Sequence, residues 1–145
     1  MGLLGARNAG IEVPNEAIDK ALGFFKSLTR EGGAVSYTAT QSHGDGVTRS
    51  AIGTLVFAMA KRKDWPEYQA ASAFIKKRMH QSVSEHPFYA RYYMAQALFH
   101  SDLEAWEAWN QRTVQRLQGT QRENGSFSSS HGSAYGTGMS ALALA

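Results

Sequence analysis

The stretch Leu117-Gln-Gly-Thr-Gln-Arg-Glu-Asn-Gly-Ser-Phe127, followed by a run of small residues up to Ala145, contains the features that decide the fold. Asn124 and Gly125 interrupt a helical pattern where a left-handed turn is easiest, and Phe127 supplies a large apolar side chain that can pack back onto a core. The run that follows, from about residue 135, has almost no charge, which predicts a buried inner helix. A buried helix needs surrounding partners, so the stretch predicts an arrangement of packed helices.

Composition sets limits on the class of protein. A chain of 145 residues with 43% hydrophobic residues is a single domain, residues 1–145, or a piece of one. The absence of cysteine excludes disulfides, cysteine nucleophiles and thiolate zinc sites, and it leaves the compartment unknown. A net charge of +3 gives no argument for nucleic-acid binding. Because no apolar run reaches the roughly 18 residues that a membrane span needs, we expect a soluble domain without a transmembrane segment.

Amphipathic and nearly charge-free segments alternate along the chain. Predicted outer helices begin near Pro14, Pro66 and Leu103, and predicted inner helices cover 48–61, 88–100 and 135–145. Gly32 and Gly33 are predicted to end the first outer helix, as Asn124 and Gly125 are predicted to end the third. Helical patterns also reach both ends of the chain, so we expect an excised part of a larger domain. The alternation predicts an all-α fold of three αα-hairpins, each of about 40 to 50 residues.

A side-chain repeat supports this division into hairpins. Each residue of the first copy lies 92 residues, or two hairpins, before its counterpart in the second. The first copy is Phe25, Thr29, Gly33 and Val35, and the second is Leu117, Gln121, Gly125 and Phe127. The middle hairpin lacks the glycine turn. The repeat predicts that the Gly33 and Gly125 turns are structural equivalents.

The second copy of this repeat resembles the glutamine-tryptophan motif of squalene and oxidosqualene cyclases, with Phe127 at the tryptophan position. Segments 92–99, 106–110 and 135–142 are further similar to the squalene-cyclase-like repeat proteins of bacteria, notably planctomycetes. The family is the terpenoid cyclase and protein prenyltransferase superfamily. This resemblance implies an α/α toroid, in which inner and outer rings of helices surround a central cavity, and this chain would supply about half of it.

The resemblance does not extend to the catalytic residues of the family. Class II cyclases resembling this fold protonate their substrate with an Asp-x-Asp-Asp cluster, and the aspartates here are isolated. The prenyltransferase zinc site and the related thioester proteins need a cysteine. We therefore predict no catalytic residue, metal site or cofactor in this segment, and a non-catalytic domain that presents a concave, aromatic-lined surface to a hydrophobic ligand or partner. Two alternatives stay open: part of a terpenoid cyclase or prenyltransferase whose catalytic residues lie outside the segment, and an interaction scaffold using rim loops 30–46 and 119–134.

The candidate binding residues lie mainly in the second inner helix. Tyr89, Tyr92, Tyr93 and Tyr135 are predicted to line one wall of the cavity for an isoprenoid or lipid, although core packing explains such a pattern as well. Arg91 is the only full charge in its helix. It must either meet an anionic ligand or carboxylate, or extend along the helix end to water.

Three histidines, His43, His86 and His131, precede the inner helices and are predicted to share one rim of the toroid. Imidazoles there could bind metal or transfer protons, or they could be ordinary polar rim residues. Adjacent hairpins lie roughly 10 Å apart, which is too far for three imidazoles to share one zinc. We therefore predict no metal at this rim. His86 and His131 remain candidates for ligand contact, beside their alternative as ordinary polar rim residues.

The number of hairpins predicts the assembly. Three hairpins form only an open arc, which exposes apolar residues of the inner helices such as Leu142 and Leu144. Exposed apolar patches above a few hundred Å² usually mark an interface. We therefore expect a homodimer, or contacts with the rest of a longer chain.

Overall fold

The protein is all-α. A computed structural model describes residues 2–40, 46–83 and 86–144. These residues form seven helices: α1 (Gly2–Asn8), α2 (Asn15–Leu28), α3 (Val47–Met59), α4 (Pro66–Arg78), α5 (Pro87–Ser101), α6 (Leu103–Thr120) and α7 (Ser133–Leu144). Within the described ranges, strand-like pairing is limited to one isolated antiparallel bridge between Thr29 and Val35. The all-α prediction is confirmed.

The helices pack as two rows. α5 lies between α3 and α7, its two most extensive neighbours, so these three helices follow one another in space. α4 contacts both α3 and α5, and α6 contacts both α5 and α7, which forms the second row. The nearly charge-free segments thus make the first row and the amphipathic segments make the second. Closure of such rows into a toroid stays a prediction.

α3 lies between two apolar clusters and is the most buried helix. Its Ala51 and Phe57 are completely buried. One cluster joins α3 to α4, α5 and α6 through Val47, Ala51, Leu55, Ile75, Leu98 and Trp109. The other joins α3 to α2 and α4 through Ile18, Leu22, Val56, Phe57 and Tyr68. A helix with apolar neighbours on opposite sides has no solvated face, which explains the absence of charge after Arg49.

Two predicted helix ends are wrong. α2 ends at Leu28 rather than at Gly32 and Gly33, and α6 ends at Thr120 rather than at Asn124 and Gly125. In each case the next residue is already extended, with ψ of 119° at one site and 134° at the other. The glycine then occupies a separate turn with positive φ, 84° at Gly33 and 79° at Gly125. The glycines therefore shape the loops, and the helices end one turn earlier.

The second copy of the repeat motif is organised around Phe127. The Phe127 ring and the Leu117 side chain are buried. The Gln121 amide nitrogen Nε2 donates to the Gly125 carbonyl oxygen at 2.9 Å, which ties the loop back on itself. The Phe127 amide donates to the Thr137 hydroxyl of α7 at 3.0 Å. The motif thus connects the end of α6 to the start of the next inner helix.

None of the helices in the described residues is both long enough and apolar enough to cross a bilayer.

Candidate functional site

One side of α5 carries three tyrosines that neighbouring helices leave partly uncovered. Residues of α5 that face its neighbours are small or aliphatic and are buried, namely Ala90, Met94, Ala95, Ala97 and Leu98. Tyr92 and Tyr93 follow Tyr89 by three and four residues, about one helical turn, so all three lie on the other side of the helix. Tyr89 is 39% exposed and the other two are half-buried. We call these three residues the tyrosine face.

The rings of the tyrosine face contact one another edge to face. The Tyr89 and Tyr93 ring centroids are 4.7 Å apart, and those of Tyr92 and Tyr93 are 5.0 Å apart. Tyr93 also packs against the larger apolar cluster, which holds its ring in place. Burial and then the Tyr89 hydroxyl raise the pKa of Tyr93 to about 12, further from physiological pH than the ordinary value near 10, at which a phenol is already neutral. The face therefore presents fixed rings with a neutral polar edge.

Tyr135 does not join this face. Its ring contacts His131 at 5.2 Å and Phe88 at 6.1 Å between centroids. His131 in turn lies 5.8 Å from His86, which begins α5 in a left-handed conformation with φ of 51°. The structure thus groups Tyr135 with the two predicted rim histidines, at the junction of α5 and α7.

The distance between the two histidines is smaller than the helix spacing predicts. Both residues lie in the connections that precede α5 and α7, and both are exposed, so the distance between the helix axes does not fix the distance between their rings. The remaining rim histidine, His43, lies outside the described residues. Within the described part of the chain, no three side chains of His, Cys, Asp or Glu are grouped so as to hold a metal ion.

Arg91 lies apart from the tyrosine face. Its side chain contributes to a cleft between the end of α4, α5 and α6, where Ala90 and Met94 also face. The guanidinium carbon is 5.2 Å from the Phe88 ring centroid. Its Nη1 atom is buried without a hydrogen-bond acceptor among the described residues. The structure therefore separates Arg91 from the tyrosine face, because the two occupy opposite sides of the same helix.

The same cleft contains residues that sequence reasoning missed. Arg112, Arg116 and His80 line it together with Trp109. The sequence pattern of α6 predicts an amphipathic outer helix, whose charges are ordinarily solvated. A usable signal was present, because Trp109, Arg112 and Arg116 lie at i, i+3 and i+7 and so share one side of α6.

No protein-family model matches the chain, and no curated protein or solved structure is significantly similar to it. The resemblance to the terpenoid cyclase and prenyltransferase superfamily stays a prediction. The argument for function therefore depends on the residues themselves.

Proposed function

We propose that this domain is a non-catalytic binding module and that its tyrosine face contacts an apolar ligand of isoprenoid or lipid type. The observation that carries the proposal is the group of interlocked tyrosine rings on the uncovered side of an otherwise buried helix. Should further hairpins continue the two rows into a toroid, as the resemblance implies, this face would point toward the central cavity.

Physical arguments favour an apolar ligand at this face. Each aromatic side chain contributes about 150–250 Å² of contact area, with little conformational entropy left to lose once the ring is packed. Tyr93 is held by core contacts, and Tyr89 and Tyr92 flank it. Phenols are neutral at physiological pH, so burial of the face beneath a ligand requires no charged phenolate to lose its water.

The test is a titration with Nile red, a neutral apolar dye that becomes fluorescent in an apolar environment. We expect the double variant Tyr89→Ser, Tyr92→Ser to bind about tenfold more weakly, because each aromatic contact contributes about 0.5–1.5 kcal/mol and 1.4 kcal/mol is tenfold. Phe24→Ser is the matched control, since Phe24 is 60% exposed on α2, away from the face. Equal loss in the control, or no loss in the double variant, would contradict the proposal. Native mass spectrometry of freshly purified protein then identifies any lipid that it retains.

We also propose a homodimer that covers the free side of α7. Leu142 is 51% and Leu144 is 46% exposed at the end of the first row, where a further inner helix would otherwise pack. Light scattering after size-exclusion chromatography at tens of micromolar should give a mass above the 15.9 kDa of one chain. Leu142→Ser should shift it toward that value, whereas Ile11→Ser, which alters another exposed apolar side chain, should not. A monomer at every concentration would refute the dimer.

The enzyme hypothesis stays open for a longer protein, because it requires catalytic residues outside this segment. The sequence of the complete gene discriminates, since an aspartate cluster elsewhere in it would favour a cyclase.

A further inference from the structure

A second potential site lies on the side of α5 opposite the tyrosine face. It is a cleft of about 170 Å³ between the C-terminal end of α4, α5 and α6. We call it the arginine cleft, defined by Arg91, Arg112 and Arg116 with His80 at its edge and with Met94 and Trp109 as apolar walls. It shares no residue with the tyrosine face, so it is independent of the proposed function.

The arginine cleft concentrates positive charge without a compensating carboxylate. Among the residues that the structure describes, no Asp or Glu lines it, and the ion pairs there involve none of its three arginines. The buried Nη1 atom of Arg91 has no acceptor within the described part of the chain. A buried donor without an acceptor is destabilising, and more so when it is charged. An anion in the cleft would remove this cost.

The pKa values of two side chains that line the cleft, Arg91 and His80, are both lowered. Burial, and secondly the charge of Arg116, lower the pKa of Arg91. Slight burial, and secondly the charge of Arg112, lower the pKa of His80. Both directions mean that the protonated form is disfavoured by its surroundings. A bound anion would offset the repulsion between these cations.

The helices position the arginines to converge on one ligand. Arg112 and Arg116 lie one turn apart on α6 with exposed side chains, while the buried Trp109 and Thr113 fix the same side of the helix against the core. Arg91 projects into the cleft from α5. A guanidinium offers a planar pair of donors that matches phosphate oxygens, and phosphate carries enough charge and acceptors for several arginines.

We propose that the arginine cleft binds a small organic phosphate, with the phosphoryl group held by Arg91, Arg112 and Arg116 and the organic part packed against Met94 and Trp109. Three guanidinium groups exceed what a single carboxylate needs, so a phosphate monoester satisfies the cleft better. The apolar walls favour an ester over inorganic phosphate.

Isothermal titration calorimetry at low ionic strength, with phenyl phosphate as the probe, tests this inference. We expect phenyl phosphate to bind at least tenfold more tightly than benzoate or inorganic phosphate. Equal binding of benzoate would overturn the phosphate assignment. Equal binding of inorganic phosphate would overturn the role of the apolar walls, and no binding of phenyl phosphate would overturn the site.

Single variants locate the site. Arg112→Gln and Arg116→Gln alter exposed side chains, so both should fold, and each should weaken phenyl phosphate binding about tenfold through the loss of a charged hydrogen bond. Lys77→Gln removes one positive charge from an exposed position on α4 outside the cleft and should change affinity less than twofold. Phe24→Ser should leave affinity unchanged, because Phe24 is 60% exposed on α2, which does not line the cleft. Equal loss in Lys77→Gln would show a diffuse charge effect and refute the cleft.

Discussion

The turns around Gly33 and Gly125 have the same backbone but different surroundings. In the first, the Arg30 amide donates to the Ala34 carbonyl at 3.0 Å, and the Gly33 amide donates to the Arg30 carbonyl at 2.8 Å. In the second, 92 residues later, the corresponding distances from Arg122 and Gly125 are 2.9 and 2.8 Å. The two turns are therefore structural equivalents, as the side-chain repeat predicts.

The equivalence extends beyond the residues that the repeat motif identified. The Arg30 side chain donates to the Ser36 hydroxyl at 2.7 Å, and the Arg122 side chain donates to the Ser128 hydroxyl at 3.0 Å. Both serines again lie 92 residues apart. A short loop thus closes with the same side-chain bond in both hairpins, which indicates that local sequence determines its shape.

The neighbours of the two glycines differ. A Cβ atom at Gly33 would lie 2.0 Å from the Ala70 carbonyl oxygen of α4, whereas a Cβ at Gly125 would meet nothing closer than the Gln121 side chain at 3.9 Å. The first turn packs against the following outer helix and the second is exposed. The Gly125 turn therefore needs glycine for its φ angle alone, whereas the Gly33 turn needs glycine both for its φ angle and for close packing against α4.

The largest expected difference between the two turns is the loss in free energy of unfolding when each glycine is replaced by alanine. Gly33→Ala should lower the free energy of unfolding by about 4 kcal/mol or more, from a positive-φ cost of roughly 1–2 kcal/mol and an overpacking cost of about 1–3 kcal/mol or higher. Gly125→Ala should cost only about 1 kcal/mol, because just the φ term applies. Urea denaturation followed by circular dichroism measures both. Similar losses in the two variants would mean that α4 does not press on the first turn.

The apolar residue two positions after each glycine gives the next largest effect. Val35 and Phe127 occupy this position and are 3% and 8% exposed. Phe127→Ala should cost about 3 kcal/mol, at the lower end of the range for buried phenylalanine. Val35→Ala should cost about 1.5 to 2 kcal/mol, since it removes two methyl-sized groups. The same urea experiment ranks them, and a loss below 1 kcal/mol at Phe127 would show that its ring is not a structural plug.

The order of inner and outer helices was predictable from the sequence, because buried segments contain few charged residues and solvated segments contain many. α3, α5 and α7 begin within two residues of their predicted positions, since Gly46, Pro87 and the Ser133 region interrupt the preceding pattern. The ends of α2 and α6 were not predictable in the same way. Glycine marks a loop that needs positive φ, and the preceding extended residue, Thr29 or Gln121, carries no comparable signal.

The candidate site was predictable only in part. Spacing places Tyr89, Tyr92 and Tyr93 on one side of α5 and Arg91 on the other, but it did not reveal which neighbouring helices cover each side. Which helix covers each side depends on contacts between distant segments, such as α5 with α6, and single-helix periodicity does not contain them. The convergence of Arg91 with Arg116 required the packed structure for the same reason.

The smallest expected loss of stability comes from removing the hydrogen bond that joins each turn to the inner helix after it. The Val35 amide donates to the Ser50 hydroxyl of α3 at 2.9 Å, and the Phe127 amide donates to the Thr137 hydroxyl of α7 at 3.0 Å. Ser50 is completely buried, whereas Thr137 is half-buried. Removing the first hydroxyl leaves an amide that water cannot reach, and removing the second leaves one that water can partly satisfy.

Ser50→Ala should therefore cost about 1–2 kcal/mol, and Thr137→Val less than 1 kcal/mol, because valine retains the volume and the amide regains a water bond. Amide hydrogen exchange measures the two bonds individually. The Val35 amide should exchange about tenfold faster in Ser50→Ala, while the Phe127 amide changes less in Thr137→Val, since tenfold corresponds to about 1.4 kcal/mol. If Thr137→Val proved the more damaging variant, the second turn would depend on α7 more strongly than its exposure indicates, and the exposed Gly125 turn would have to be covered in solution, as a dimer through α7 could achieve.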